Sequence, residues 1–330
     1  MTAADNSTRK PTVEVLLESD WAAGSLVADV RRGLGTVPRS LPPKWLYDDH
    51  GSQLFDRITK LPEYYPFARE HEILTRHAAD IAELSGATTL VELGSGTSEK
   101  TRMLLDAFDA TGQLQRFCPV DVSEQTLRDA AAAVAGRHPG VEVEAIVGDF
   151  TLHLAHLPRG GRRMVAFLGG TIGNLYVEER RAFLGALADT LEPGDSLLLG
   201  TDLVKDADRL IAAYNDSEGV TAAFVRNSLT VVNRELGADF DLGDFSYVPF
   251  WDATMERMDL RLRAEVPQHV RVPGADLEID LAAGEEIRVE ISTKFRRHGI
   301  AEELGEAGFE VTRTFTDDAE DFALTLATKV

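Results

Sequence analysis

One stretch constrains this chain more than any other: Thr89-Leu90-Val91-Glu92-Leu93-Gly94-Ser95-Gly96-Thr97-Ser98-Glu99-Lys100-Thr101. Apolar residues around Glu92 read as a buried strand. Two glycines one residue apart make a tight turn, and Met103, Leu104, Leu105, Ala107 and Phe108 continue at helical spacing. A strand that turns through Gly-x-Gly into a helix brings bare backbone close to a nucleotide-like ligand. The same turn can merely join a strand to a helix, so the motif alone is weak.

The dinucleotide fingerprint places a third glycine three residues after the second; here that position is Glu99. A carboxylate in the first helical turn repels a pyrophosphate seated on the helix N-terminus. No Gly-Lys-Ser/Thr phosphate loop is present. Dinucleotides and nucleoside triphosphates therefore lose ground to an adenosine ligand without phosphate, of which S-adenosylmethionine is the common one.

Composition narrows the partners. The 330 residues are 44% hydrophobic, enough for one large core or two smaller ones, and carry a net charge of −21. Such a surface repels phosphodiester backbones and anionic lipid heads, although acidity also serves plain solubility. No run reaches the ~18 apolar residues of a membrane span. Nucleic acid and membranes are thus not expected as partners, and a monomer is the expectation. Cys118 stands alone, which excludes an intramolecular disulfide and fits a reducing compartment. The polar N-terminus, 1–11, lacks an apolar signal core and reads as a frayed tail, so a cytoplasmic protein is expected.

Along the chain, a helical pattern covers 14–35. Leu41-Pro42-Pro43-Lys44-Trp45-Leu46-Tyr47-Asp48 then reads as an extended connection into a turn. A short helix follows around Leu54, Phe55 and Ile58, and another over 70–84. From Leu90 strands alternate with helices, the signature of a parallel sheet: strands at 89–93, 117–121, 142–146, 164–168 and 196–201, helices at 99–109, 124–136 and 178–191. After Thr201 come helices at 206–214 and 219–235 and strands at 258–264, 268–272, 276–280 and 286–293, which suggest an inserted smaller α+β domain. Helix 299–307 and strands at 310–315 and 321–328 complete the first sheet's edge.

Ligands of doubly wound sheets sit at the carboxyl ends of the strands. The first strand ends at Gly94-Ser95-Gly96. The second ends at Asp121, which can accept both ribose hydroxyls or cap the helix begun near Ser123. After the third come Asp149 and Phe150, able to take an adenine amino group and offer a ring face, or to form an ordinary loop. The fourth ends Gly169-Gly170-Thr171-Ile172-Gly173-Asn174, where three glycines bring backbone near a ligand and Asn174 offers donor and acceptor, or caps a helix. Four suitable strand ends together favour an adenosine site. Lys100, one turn into the first helix, can reach the methionine carboxylate or remain a solvated lysine.

Residues 285–293 alternate, with Ile287, Val289 and Ile291 on one face and Arg288, Glu290 and Ser292 on the other. Glu290 and Ser292 lie about 7 Å apart at Cα. They could engage a polar ring, but the pattern alone favours a solvent-facing strand edge. Tyr64 and Tyr214 read first as packing residues. His153 and His156 lack a carboxylate or cysteine cluster, and no His-Glu-x-x-His or Cys-x-x-Cys occurs, so no metal is expected. No Gly-x-Ser-x-Gly elbow is present.

These residues closely resemble the S-adenosylmethionine-dependent histidine Nα-methyltransferases of ergothioneine biosynthesis, from about Leu41 to the C-terminus. Its carriers are the Pro42–Asp48 motif quoted above, Leu61-Pro62-Glu63-Tyr64-Tyr65-Pro66, the glycine turn from Glu92 to Thr101, and residues 167–174, 202–205 and 285–295. The two early motifs are the most specific, since ordinary methyltransferases lack them.

The resemblance implies an α/β fold: a Rossmann-like class I methyltransferase sheet with an inserted smaller α+β substrate domain. The methyltransferase domain would take 69–204 and 295–330, the substrate domain 12–68 and 205–294. It makes Gly94, Lys100, Asp121, Asp149 and Phe150 the contacts of S-adenosylmethionine. Tyr64, Asn174 and Tyr214 would hold the substrate's amino-acid portion, and Glu290 and Ser292 would read the imidazole. Tyr47 would lie by the accepting amine, with Tyr47 and Asn174 nearest the chemistry. One departure falls at Leu260, where relatives carry methionine. The implied reaction is threefold methylation of the histidine α-amine to hercynine. Alternatives are the same fold acting on another small amine or amino acid, and a non-catalytic adenosylmethionine-binding regulatory module.

Overall fold

The computed structural model describes residues 10–18, 20–96, 98 and 100–330; most of the expected N-terminal tail, Thr97 and Glu99 lie outside the described residues. The chain divides into two compact units, Met1–Glu18 with Arg69–Leu203 and Phe295–Val330, and Ser19–Ala68 with Val204–Lys294. No helix among the described residues is long and apolar enough to cross a membrane.

The first unit is built on an eight-stranded sheet. Six parallel strands lie in the order Thr12–Val15, Glu142–Val147, Arg116–Asp121, Thr89–Leu93, Arg163–Phe167 and Ser196–Asp202. Phe322–Lys329 then pairs antiparallel with Ser196–Asp202, and Phe309–Thr316 forms the far edge. The chain runs outward from Thr89–Leu93 on one side and returns beside it at Arg163–Phe167, which makes a switch point at the glycine-turn strand. Every residue of Thr89–Leu93 is buried. Because alternate residues face opposite ways, Leu90 joins one core with Leu104, Leu105 and Phe108, and Val91 and Leu93 join another with Phe183, Leu184 and Leu187. Each fully buried aliphatic side chain of this kind contributes about 1.5–3 kcal/mol.

The N-terminal edge departs from the helical reading over 14–35. Thr12–Val15 is a strand, paired in parallel with Glu142–Val147, and the helix begins only at Trp21, running to Leu34. Thr-Val-Glu-Val has β-branched residues at alternate positions, and a neighbouring strand makes that two-residue period decisive. Residues 12–18 therefore belong with the first unit and not with the substrate domain, and Val204 falls in the second unit.

The second unit holds a four-stranded sheet in the order Arg39–Ser40, Glu286–Thr293, Arg257–Ala264 and Phe245–Asp252, and a hairpin of Gln268–Val272 with Leu277–Leu281. Phe245–Asp252 is absent from the sequence reading; its Pro249 is tolerated because the strand lies at the sheet's edge. Helix Val220–Leu236 buries Phe224, Val225, Leu229, Val232 and Leu236 in a core shared with Leu260, Leu262 and Ile287. Leu26, Val30 and Leu34, four apart on helix Trp21–Leu34, add their stripe to it.

Candidate active site

In the first unit the turn after Thr89–Leu93 takes the left-handed backbone that glycine allows, with φ of 68° at Gly94 and 48° at Gly96. A Cβ at Gly94 would meet the Phe150 ring at 3.8 Å, and one at Gly96 would meet nothing within 4 Å. Phe150 is half-buried, edge-on to Phe167 and Phe183 at centroid distances of 5.1 and 5.9 Å. Asp121 accepts from Gly96 N at 2.8 Å and from Ser123 N at 2.9 Å, so it ties the glycine turn to the next helix entry. Burial raises its pKa above the ordinary aspartate value against these backbone bonds. Asp149 accepts from both Thr151 N and Thr151 Oγ1, at 2.8 and 2.6 Å, closing an Asx turn.

Two carboxylates beneath this surface escaped the sequence reading. Glu92 is 5% exposed and accepts from Ser98 Oγ at 2.9 Å and from Thr101 Oγ1, so it holds the turn from below. Burial pushes its pKa up to about 7, with the two hydroxyls and Lys100 opposing. Glu70 is fully buried; it accepts from Gly169 N at 2.8 Å and pairs with Lys100 Nζ. Lys100 is therefore not a solvated lysine. Gly200 makes room, since a Cβ there would lie 2.6 Å from Glu70 Oε1. Asn174 ends the short 3₁₀ turn Thr171–Asn174 and is not the helix cap, because Tyr176 precedes helix Val177–Thr190 and donates its backbone N–H to the Glu179 carboxylate at 2.8 Å. The Asn174 carboxamide is half-buried and makes no side-chain hydrogen bond among the described residues.

The second unit gathers Tyr47, Tyr64, Tyr214, Glu290 and Ser292. As expected of an extended connection into a turn, Pro42 is extended and Pro43 opens a 3₁₀ turn over Pro43–Leu46. Asp48 then caps helix Asp49–Ile58, accepting from Gly51 N at 2.8 Å, and takes further bonds from Asn227 and Arg234, each at 2.7 Å. Burial pushes Asp48 up, but these donors outweigh it and hold its carboxyl below the usual range. Gly51 lies so close to Leu46 O that a Cβ would sit 1.6 Å from it. Tyr47 is thereby fixed between two locked turns. Its ring meets Phe224 and Phe55 at 5.2 and 5.5 Å, Phe55 meets Tyr64 at 6.2 Å, and Tyr64 meets Tyr214 at 6.2 Å. Tyr47 is 41% exposed overall, although its hydroxyl end is desolvated. Burial, then the Glu290 carboxylate, then Tyr64 and Tyr214 hold its pKa well above the tyrosine value. Tyr247, on the unforeseen strand, donates to Tyr214 O at 2.7 Å, and burial followed by Glu290 raises its pKa likewise.

The strand Glu286–Thr293 breaks the expected alternation. Its register opposes Ile287 to Leu262 and Glu290 to Leu260, with a shift between Arg288 and Glu290. Opposed residues share a face, so Ile287 and Glu290 point the same way although three positions apart; a β-bulge supplies the extra residue. Arg288 turns to the other face, where with Arg261 it bonds the buried Asp259. Glu290 and Ser292 are left on the face of Met258 and Leu260, which are fully buried. The strand is no solvent-facing edge: Ser292 is 6% exposed, and its Oγ lies 2.8 Å from both Tyr214 Oη and Lys294 Nζ. Lys294, 2% exposed, also donates to Tyr214 Oη at 2.8 Å. It continues the spacing of Glu290 and Ser292, a signal present in the sequence and not taken up. Leu260 is 1% exposed and pairs opposite Glu290.

His153 Nδ1 folds back on the Asp149 backbone at 3.0 Å, and no group of three or more His, Cys, Asp or Glu among the described residues could hold a metal ion. A family model described as "Histidine-specific methyltransferase, SAM-dependent" matches residues 26–329. The chain belongs to that family. It is 57% identical over 313 residues to a histidine N-alpha-methyltransferase of Mycolicibacterium smegmatis, covering 95% of this chain and 98% of the relative. With the histidine N-alpha-methyltransferase of Mycobacterium tuberculosis it shares 55% over 305 residues, 92% of this chain and 95% of the other. It is 35% identical to ergothioneine biosynthesis protein 1 of Neurospora crassa over 206 residues, 61% of this chain and 23% of that one.

The glycine turn suits the family's methyl donor. Ser95, in that turn, is 7% exposed, and its hydroxyl has no partner among the described residues, a polar atom that a ligand there can satisfy.

Proposed function

We propose that this methyltransferase moves three methyl groups in succession from S-adenosylmethionine to the α-amine of L-histidine, giving hercynine, the first step of ergothioneine biosynthesis. When bound, the donor supplies an electrophilic methyl group. Gly94, Lys100, Asp121, Asp149 and Phe150 are the residues proposed to hold it. Tyr64, Asn174 and Tyr214 are assigned to the amino-acid end of the substrate, and Glu290 and Ser292 to its ring.

The observation that carries the reading is the bulged strand, which sets Glu290 on a buried face among Tyr47, Tyr214 and Tyr247. A carboxylate on that face can accept an N–H of the imidazole. In-line methyl transfer needs little acid–base help, so placement dominates. The attacking amine must be neutral, and Asn174 can accept from it without favouring an ammonium as a carboxylate would. Tyr47 keeps its phenolic proton at neutral pH, which removes it as a base and leaves its ring face to attract the growing methylammonium. As methyl groups replace hydrogens, the amine loses donors, and holding passes to the carboxylate and the ring.

This chemistry requires no metal ion. The reading also keeps the protein a cytoplasmic monomer acting on small molecules, without nucleic-acid or membrane partners, in line with its net charge of −21 and single cysteine. Mass spectrometry of a panel of free amino acids incubated with enzyme and S-adenosylmethionine tests it. Gains of one, two and three methyl groups on histidine above all others are expected; preference for another amine, or no transfer, overturns it.

A further inference from the structure

The imidazole of His153 lies against the turn that carries Asp149 and Phe150. Its Nδ1 is 3.0 Å from the Asp149 backbone nitrogen, and a Cβ on Gly148 would meet that Nδ1 at 3.4 Å. We infer that His153 is a positioning residue for the adenine end of the methyl donor, holding Asp149 so that one carboxylate oxygen stays open to the adenine amino group. The inference rests on the proposed donor role of Asp149 and deepens it.

Hydrogen-bond capacity assigns each atom its part. The Asp149 carbonyl accepts from Leu152 N at 3.0 Å and from His153 N at 2.9 Å, which fills its two lone pairs. Nδ1 lies 3.0 Å from that oxygen as well, but a proton there would find no lone pair to meet. The Asp149 N–H has no other acceptor among the described residues, and an unmet backbone donor is costly. Nδ1 is therefore the acceptor, and the ring proton sits on Nε2. In the Asp149 side chain, Thr151 N and Thr151 Oγ1 both donate to Oδ1, at 2.8 and 2.6 Å, while no donor among the described residues meets Oδ2. One oxygen serves the turn, and the other is left for a ligand's N–H, such as the adenine amino group supplies. His153 is itself fixed. It directly precedes the 3₁₀ turn Leu154–His156, whose Leu154 is 5% exposed in a core with Phe167 and Phe183. Phe150 packs on the same two rings. Both ends of the turn are thus tied to one apolar block, and Nδ1 locks the backbone between them. Without that acceptor the Asp149 N–H would turn toward water and carry Oδ2 away from the amino group.

The test compares S-adenosylhomocysteine with S-inosylhomocysteine, in which a carbonyl replaces the amino group of the base. Dissociation constants are measured by calorimetry for the full-length wild type, His153→Leu, His153→Asn and His153→Gln. The wild type should prefer the adenosyl ligand by about tenfold or more. In His153→Leu that preference is expected to fall about fivefold, the scale of one lost hydrogen bond. The KM for S-adenosylmethionine should rise by a similar factor, with kcat within about threefold and the histidine KM within about twofold. Asn places an amide oxygen where Nδ1 lay, so His153→Asn should keep the preference within about twofold of the wild type. Gln places its amide where Nε2 lay; His153→Gln should behave as His153→Leu and carries the test if the leucine variant fails to fold. A wild type without preference overturns the donor role of Asp149 and this inference with it. A wild-type preference that the leucine and glutamine variants retain overturns this inference alone. Equal weakening of both ligands, the mark of general damage, or an asparagine variant no better than leucine, also overturns it.

Discussion

The two units treat their buried polar groups differently. In the first, several carboxylates near the glycine turn lean on main chain, as Asp121 does on the N–H groups of Gly96 and Ser123 and Glu70 on Gly169 N, although Glu92 takes the hydroxyls of Ser98 and Thr101. In the second, side chain meets side chain, as in Tyr214 with Ser292 and Lys294, and Asp48 with Asn227 and Arg234. A frame of backbone donors is set by the turn itself and suits one ligand shape. A side-chain cluster can be altered one residue at a time. Changes in the first unit should therefore disturb stability or donor binding, and changes in the second should disturb the substrate alone.

The hardest blow to the first unit should come from Glu70→Ala, which strips the carboxylate from Gly169 N and Lys100. Thermal unfolding should show a loss of about 3 kcal/mol, the low end for breaking a buried pair. A loss below ~1 kcal/mol would mean that the backbone frame stands without it. Glu92 gives a pH signature of comparable size. Its carboxyl binds a proton more tightly in the folded protein, at about 7, than at the ordinary 4.5. Its contribution is fully present below pH 4.5 and is lost as pH rises through about 7, up to roughly 3 kcal/mol in all. Glu92→Gln should flatten that decline in urea denaturation at pH 5 and pH 8; a parallel decline in both proteins would remove Glu92 as its source.

In the second unit, Glu290→Ala should raise the KM for histidine by about tenfold to a hundredfold, roughly 1.4–3 kcal/mol, with cofactor affinity nearly unchanged. Equal loss of both ligands in a titration would erase the division between the units. Asp121→Ala is the mirror image: calorimetry should show adenosylmethionine binding weakened by about 1–3 kcal/mol with the histidine KM little changed. Unchanged cofactor affinity would take Asp121 out of the site. Leu260→Met, a swap of similar volume opposite Glu290, should shift stability by less than about 1.5 kcal/mol. A large change in histidine KM from it would show that packing, and not Glu290 alone, sets the ring pocket.

Much of the first unit was legible residue by residue. The strand at 89–93, the glycine turn and the helix at 178–191 follow from local period and from backbone that only glycine adopts readily. The second unit was less so. Periodicity put Glu290 on a solvent-facing edge, and only the family resemblance moved it; the bulge after Arg288 changes which residues share its face, and nothing local marks a bulge. Glu70 gives no sign in a helical pattern that its carboxylate reaches Gly169, almost a hundred positions later. Tyr247 sits on a strand hidden by Pro249, whose tolerance depends on lying at an edge.

The amino-acid sequence by itself determined the elements, the alternation that makes a parallel sheet, and the glycine-lined turn, because these depend on neighbours within about a dozen positions. Tertiary structure decided the pairing of Thr12–Val15 with Glu142–Val147, the face that Glu290 and Ser292 share, and the meeting of Tyr214 with Lys294. Those outcomes depend on register and on which distant chain supplies a hydrogen-bond partner. Such choices are settled only when the whole core packs.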